Sequence, residues 1–244
     1  MKTFTLHSRD YFNTAARKRY YNELLFTEVA PKYDLITRLL SFGRDREWKE
    51  AMIQSLPDIH PKRCLDLACG TGDLTRMVHY RYPDAEVTGV DLTPAMIERA
   101  RLLTESSGIT YEVGDMGSLR FLDGTMDLVT GGYALRNAPD IDVALNEINR
   151  VLTPHGLLAF LDFSKPVHPM GQRWNFALLK SWGSLWGYML HRHADVYGYI
   201  AESLARYPDR QALRGMLKKR GLCVVMSKRY FGGLLEWVVA RKIS

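Results

Sequence analysis

Through the middle of the chain, short apolar runs alternate with amphipathic stretches, and the breaks between them are glycines, prolines and aspartates. The run Cys64 to Ala68 stops at a glycine turn (Cys69, Gly70, Thr71, Gly72), and a helical stretch from about Leu74 to Tyr82 follows before Pro83. A second run, Glu86 to Val90, ends at Asp91; Pro94 then opens a helix that carries Met96, Ile97 and Ala100 on one face. Ile109 to Val113 reads as a third strand ending at Asp115, and Met126 to Thr130 as a fourth ending at Gly131 and Gly132. Ala144, Leu145, Ile148, Val151 and Leu152 recur at helical spacing, and Thr153-Pro154-His155-Gly156 breaks the chain before a buried strand from Leu157 to Phe163. This succession of five β-α repeats predicts an α/β fold with a doubly wound, mostly parallel, Rossmann-like sheet. Ligands would meet it at the C-terminal strand ends.

The last segment leaves that rhythm. Between Pro169 and His193 runs an aromatic-rich stretch with Trp174, Trp182 and Trp186, interrupted by Arg173 and Lys180. A helix from about Ala212 to Arg220 and strands Leu222 to Met226 and Leu235 to Ala240 then complete an antiparallel edge. The organisation expected is a helical cap over 1–50, a core over 51–164, an aromatic-rich lid insertion over 165–210, and a closing helix and strands over 211–244.

Composition narrows the class. The 244 residues are 46% hydrophobic and 25% charged, with a mean hydropathy of −0.20, which excludes wholesale disorder, a collagen repeat and a coiled coil. Cys64, Cys69 and Cys223 form no paired spacing, so neither a disulfide framework nor a zinc site is expected, and reduced thiols point to the cytoplasm. The first residues lack the apolar run of a secretion signal, and no stretch approaches the ~20 apolar residues of a membrane span. Charge is zoned: 10 Lys/Arg against 8 Asp/Glu over 1–60, 10 against 15 over 61–165, and 13 against 4 over 166–244. The centre is acidic and the C-terminal third basic.

The flanks of the glycine turn choose between two nucleotide-like cofactors. A dinucleotide fingerprint wants a third glycine where Thr75 stands, and Asp73 puts a carboxylate where a diphosphate needs unopposed N–H groups. S-adenosylmethionine carries no phosphate and has a cationic sulfonium and amine, so acidic surroundings favour it. On that reading Asp66 helps hold the methionine amine, Gly70 and Gly72 let the backbone approach, and Thr71 lies in the same loop. Asp91 accepts the ribose hydroxyls, Asp115 takes the adenine amino group, and Met116 covers the ring. Ala68, Leu92, Met96 and Gly132 complete the expected cofactor contacts. Each aspartate at a strand end could equally be a helix cap.

The segment LDLACGTGDLT, Leu65 to Thr75, resembles motif I of class I methyltransferases. KYD at Lys32 to Asp34, LLSFGRDREWK at Leu39 to Lys49, ALRNAPD at Ala134 to Asp140, RVLTPHG at Arg150 to Gly156, FSKP at Phe163 to Pro166 and YGYIAESLARYPDRQAL at Tyr197 to Leu213 are similar to the ubiquinone/menaquinone biosynthesis C-methyltransferase family. The likeness runs from about Val29 to the C-terminus. Three departures stand out: Cys69 where that family often has glycine, Asp115-Met116 for a commoner Asn-Ala pair, and Gly132 for a hydroxyl residue.

The resemblance implies transfer of a methyl group to a ring carbon of a polyprenylated quinol, either demethylmenaquinol or a benzoquinol; the alternative acceptor is another lipophilic small molecule. A ring carbon becomes nucleophilic once a neighbouring hydroxyl ionises, so activation and in-line alignment are the chemical task. The expected catalytic group is Arg136 and Asn137 with Tyr33 and Asp34 from the cap. Arg136 would stabilise a phenolate, and Asp34, His191 or His193 would accept the proton. Cap packing for Tyr33 and an ion pair for Arg136 are the competing readings. The partners expected are the quinol, a peripheral contact of the tryptophan-rich stretch with the inner face of the membrane, and a second copy in a homodimer, with no nucleic acid.

Overall fold

In the computed structural model, which describes residues 13–105, 108–191 and 195–244 and the side chains of all these except 182–191 and 195–198, the first quarter of the chain is helical. Thr14 accepts a hydrogen bond from the Arg17 amide at 3.2 Å and so starts α1 (Ala15–Val29). A single 3-10 turn over Ala30–Lys32 leads into α2 (Tyr33–Leu40), and α3 (Asp45–Gln54) follows a turn at Gly43.

The β-α alternation then begins: β1 (Arg63–Leu67), α4 (Asp73–Arg81), β2 (Glu86–Asp91), α5 (Pro94–Leu102), β3 (Ile109–Val113), β4 (Met126–Gly132), α6 (Ile141–Val151) and β5 (Leu152–Phe163). The third of the five repeats expected from the sequence is not complete, because β3 and β4 are joined by an irregular 114–125 segment in place of a helix. Gly114, Gly117, Gly124 and a tight turn closed by the Ser118 amide on the Asp115 carbonyl fill that connection with turn residues. β5 also begins earlier than the Thr153–Gly156 break suggests. Its pairing jumps from Met126↔Leu152 to Leu128↔Leu157, so the break is a bulge within the strand, with His155 at φ +65.

After β5 come α7 (Pro169–His191), α8 (Asp195–Arg206) and α9 (Arg210–Lys219), the last capped by Asp209, whose carboxylate accepts from the Gln211 and Ala212 amides. β6 (Leu222–Tyr230) and β7 (Leu235–Lys242) close the sheet in the order β3-β2-β1-β4-β5-β7-β6. The five strands β1 to β5 are parallel, and β7 is antiparallel to β5 and to β6. Trp182, Trp186 and His191, by their side chains, and His193 altogether lie outside the described residues.

Period-two alternation divides the core between the faces. Leu65, Leu67, Val129, Leu158 and Phe160 pack with Leu145 and Ile148 of α6 and with Leu213 and Leu217 of α9. Cys64, Leu128, Ala159 and Leu161 pack with Met52 of α3 and Leu74 and Val78 of α4. Each of the larger of these side chains is almost fully buried, a contribution of about 1.5–3 kcal/mol apiece before ordering costs. A third cluster joins Tyr21, Leu25 and Val29 of α1 and Ile36 of α2 to Met96 of α5 and Tyr199 of α8. It holds the cap across the C-terminal ends of the strands.

Candidate functional site

The glycine turn after β1 needs two left-handed residues, Gly70 at φ +55 and Gly72 at φ +79. A Cβ on Gly72 would fall 2.2 Å from the Tyr111 hydroxyl, whereas one on Gly70 would meet only the Tyr33 ring, at 3.6 Å. The first glycine therefore faces open space under the cap and the second faces the core. Asp91, at the end of β2, holds the turn: Oδ2 accepts from the Gly70 amide at 2.9 Å and Oδ1 from the Thr93 amide at 2.8 Å. Burial pushes its carboxyl up, opposed by those two hydrogen bonds.

A narrow cavity of about 50 Å³ opens at these strand ends. It brings together ten of the residues singled out from the sequence: Tyr33, Ala68, Gly70, Asp91, Leu92, Met96, Asp115, Met116, Gly132 and Asn137. Asp115 Oδ1 accepts from the Gly117 amide at 2.8 Å, and Oδ2 pairs with Arg19 of α1 at 3.0 Å. The cap thus touches the far end of the cavity through an ion pair.

Three expected cofactor residues lie outside the lining. Asp66 is completely buried beneath the turn, where its two oxygens take the hydroxyls of Thr75 at 2.7 Å and Thr130 at 2.8 Å. Burial pushes its pKa up to about 6. The carboxylate lies inside the sheet and is not part of the cavity lining. Thr71 turns its hydroxyl to Asp34 Oδ1 at 2.6 Å, and Gly72 faces Tyr111.

Asp73 departs from the electrostatic expectation. Its carboxylate is not a free negative charge: Lys49 of α3, nearly buried, places Nζ 2.6 Å from Asp73 Oδ2 and 2.6 Å from Asp45 Oδ2. The neighbouring ammonium holds the Asp73 carboxyl below its ordinary range despite burial, and the two carboxylates raise the lysine. The three charges sum to one negative, so the acidic character of this corner survives in reduced form. Sequence reading passed over Asp45 and Lys49, whose i, i+4 spacing on α3 was the available signal.

A second, larger cavity of about 410 Å³ lies under the cap, lined by apolar side chains of α1 and α2 with Trp48, Phe163, Leu178, Leu179, Phe231 and Leu235. Phe26, Tyr33, Tyr133 and Asn137 line both cavities and form the wall between them. Burial pushes the Tyr33 phenol up to about 12. Asn137 is fixed by its Nδ2, which donates to the Tyr133 carbonyl at 2.9 Å, and its Oδ1 lies 2.8 Å from the Tyr199 hydroxyl.

Arg136 borders the larger cavity and is 4% exposed. Its Nε lies 3.4 Å from Asp162 Oδ1, Nη1 donates to Ser203, and its guanidinium sits 5.3 Å from the Phe163 ring centre. The ion pair expected as its competing reading is present, and the cation still faces the cavity. Asp34 lines neither cavity; besides Thr71 it lies 3.8 Å from Arg99.

Tyr133 was not singled out from the sequence. It stands directly after β4 at φ +58, a conformation that costs a residue with a side chain about 1–2 kcal/mol. Its amide donates to the Leu161 carbonyl and its hydroxyl to Asp45 Oδ1 at 2.7 Å.

Comparison with known proteins was consistent with this geometry. The family model described as the ubiE/COQ5 methyltransferase family matches residues 14–242. A demethylmenaquinone methyltransferase of Thermus thermophilus is 37% identical over 211 residues, covering 85% of this chain and 96% of the relative. A ubiquinone/menaquinone biosynthesis C-methyltransferase of Desulfotalea psychrophila is 32% identical over 220 residues, covering 87% of each. Among solved structures, a methyltransferase in complex with the Haloferax volcanii activator Trm112 aligns with a TM-score of 0.65 at 18% identity, over 90% of this chain and 98% of that one. The Bacillus YcgJ protein aligns with a TM-score of 0.61 at 17% identity, over 81% and 99%. At those identities the structural likeness speaks for the fold.

Proposed function

The chain belongs to the ubiE/COQ5 methyltransferase family and is an S-adenosylmethionine-dependent methyltransferase of quinone biosynthesis; from its paired cavities we propose that the donor lies at the strand ends and that a ring carbon of a polyprenylated quinol receives the methyl group from the apolar side. The observation that carries this reading is the shared wall of Phe26, Tyr33, Tyr133 and Asn137, which sets one cavity against the other.

The donor cavity suits the donor chemically. Each Asp91 oxygen uses one lone pair on a backbone amide, which leaves acceptor capacity for two ribose hydroxyls. Asp115 keeps acceptor capacity for an amino group, and Met96, Met116 and Leu92 offer an apolar bed for a flat ring. Gly70 leaves room where a Cβ would intrude. No phosphate-binding arrangement is required, and Asp73 Oδ1 already occupies the Leu74 amide at the start of α4. When bound, S-adenosylmethionine supplies an electrophilic methyl group.

On the acceptor side the residues have to orient a ring and ease the loss of a hydroxyl proton. The apolar walls exclude water and take the ring and the first part of its tail. Asn137 offers a polar edge at the junction. Arg136, buried and always charged, stabilises the phenolate and so feeds electron density to the carbon to be methylated. Among the described residues the lining of this cavity includes no carboxylate or histidine, and the side chains of the expected acceptors His191 and His193 lie outside them. Asp34 instead ties α2 to the glycine turn.

Phe42, Leu178 and Phe231 line the acceptor cavity and are also exposed, at 65%, 58% and 52%. This apolar rim supports a peripheral contact with a bilayer from which a long tail could enter, and no helix among the described residues is long and apolar enough to cross a membrane. Incubation with methyl-labelled S-adenosylmethionine and a panel of demethylated naphthoquinols and benzoquinols tests the acceptor directly. Label is expected on a ring carbon of at least one quinol, and label in none removes the proposed acceptor.

A further inference from the structure

The polar chain beneath the wall between the cavities is not used by the chemistry above. Tyr133 donates to Asp45 Oδ1 at 2.7 Å, Lys49 Nζ lies 2.6 Å from Asp45 Oδ2, and the same ammonium lies 2.6 Å from Asp73 Oδ2. Asp73 Oδ1 in turn accepts the Leu74 amide at the start of α4, next to the glycine turn. Four side chains from three separate stretches of sequence thus link the donor-side turn to an aromatic residue that faces both cavities.

Two further observations show that this chain is built around Tyr133. Lys49 passes under Gly132, where a Cβ would lie 3.2 Å from its Cε, so the lysine fills the space that a side chain at 132 would occupy. Its ammonium also sits 5.5 Å from the centre of the Tyr133 ring, and the Phe163 ring lies 5.7 Å away, tilted by 39°. A left-handed tyrosine persists only where its surroundings over-determine it, and here the amide, the hydroxyl and the ring all have partners.

We propose that Asp45 and Lys49 are positioning residues for the methyl transfer: they pin the Tyr133 hydroxyl so that its ring stands as the fixed partition against which the acceptor ring is aligned with the donor. The proposal rests on the reading of the two cavities as donor and acceptor sites. The partition does its work through geometry. Loss of the hydroxyl leaves the ring in place and frees its tilt, and misalignment at the reacting atoms is felt in turnover before it is felt in binding.

The decisive variant is Tyr133→Phe, which keeps the ring and the core packing. It is expected to bind S-adenosylhomocysteine within about twofold of wild type by calorimetry and to lose about tenfold in kcat on the best quinol, with KM for that quinol changed less than threefold. Lys49→Arg, which keeps a buried cation between the carboxylates, is expected to retain most of kcat, whereas Lys49→Met is expected to match or exceed the loss in Tyr133→Phe. A wild-type kcat in Tyr133→Phe overturns the proposal, and so does an equal loss in Lys49→Arg and Lys49→Met.

If the wild-type protein labels no quinol, the acceptor reading fails separately, and the pinning is then decided by carbon-13 tyrosine spectra. The Tyr133 phenol carbon, assigned by its disappearance in Tyr133→Phe, is expected to move in Asp45→Asn and in Lys49→Met. An unmoved resonance shows that the hydroxyl is not held by this chain.

Discussion

The two glycines of the turn make opposite demands, and exchanging each for alanine separates the turn's structural role from its ligand role. At Gly72 the new methyl group meets the Tyr111 hydroxyl at 2.2 Å and its ring carbons at 2.7 and 2.9 Å, in a backbone at φ +79. Left-handed strain of about 1–2 kcal/mol adds to overpacking of about 1–3 kcal/mol, because Tyr111 is 5% exposed and packed against Ile97 and Ala100. A sum of about 2–5 kcal/mol lowers Tm by about 5–15 °C in a chain of this size. Gly70→Ala carries the same strain but meets only the Tyr33 ring at an ordinary 3.6 Å, so its Tm falls by about 2–6 °C. Its methyl group, however, stands in the donor cavity, where a loss of about 10–100-fold in S-adenosylhomocysteine affinity is expected. Thermal melts with and without S-adenosylhomocysteine, together with calorimetry, read both quantities. The reasoning is refuted if Gly70→Ala melts below Gly72→Ala, or if Gly70→Ala binds the donor product as wild type does.

Asp91→Asn replaces one acceptor oxygen with a donor that faces the Gly70 or Thr93 amide. Calorimetry is expected to read a loss of about 10–100-fold in donor affinity, and undiminished affinity would remove Asp91 from the donor site. Asp66→Asn tests the buried carboxyl under the turn. Its folded pKa of about 6 lies above the ordinary 3.8, so its favourable contribution is complete below about pH 3.8 and is lost as pH rises through 6. At pH 7 the charged form therefore opposes folding by roughly 3 kcal/mol, and the amide variant is expected to be the more stable protein at pH 7 with an advantage that fades near pH 4. Urea unfolding at both values checks this, and an advantage independent of pH contradicts it. Phe42→Asp is expected to reduce co-sedimentation with anionic phosphatidylglycerol vesicles severalfold while leaving S-adenosylhomocysteine binding intact, and unchanged co-sedimentation would take Phe42 out of any membrane contact.

Most of the fold was legible because strand ends and turns in this chain are written in single residues. Asp91, Asp115 and the Gly131-Gly132 pair each fall at or just after a strand end, and period-two alternation from Cys64 to Leu67 marks both faces of β1. The connection between β3 and β4 was not legible, since counting it as a β-α repeat supposes a helix in a segment whose backbone is set by glycine turns. At the site, most of the residues found in advance were those at or just after strand ends. Asp45 and Lys49 are one turn apart on α3, but Tyr133 and Asp73 meet them only through the packing of α3 against α4 and β5, and no local pattern announces that a lysine on one helix will neutralise the aspartate that opens another. Asp66 shows the converse. Its place at a strand end suggested a ligand, but the carboxylate is completely buried outside the cavity lining, hydrogen-bonded to Thr75 and Thr130, nine and sixty-four residues away in sequence.

The claim on which the account turns is that donor and acceptor bind at once on either side of a single wall. A crystal structure of the protein with S-adenosylhomocysteine and a demethylated quinol tests it most directly. The account expects the sulfur over Gly70 and Asp91 and the quinol ring against Tyr33, Tyr133 and Asn137, with its unsubstituted ring carbon turned toward the sulfur. A quinol ring bound away from that wall, or a quinol that binds only when the donor product is absent, would contradict it.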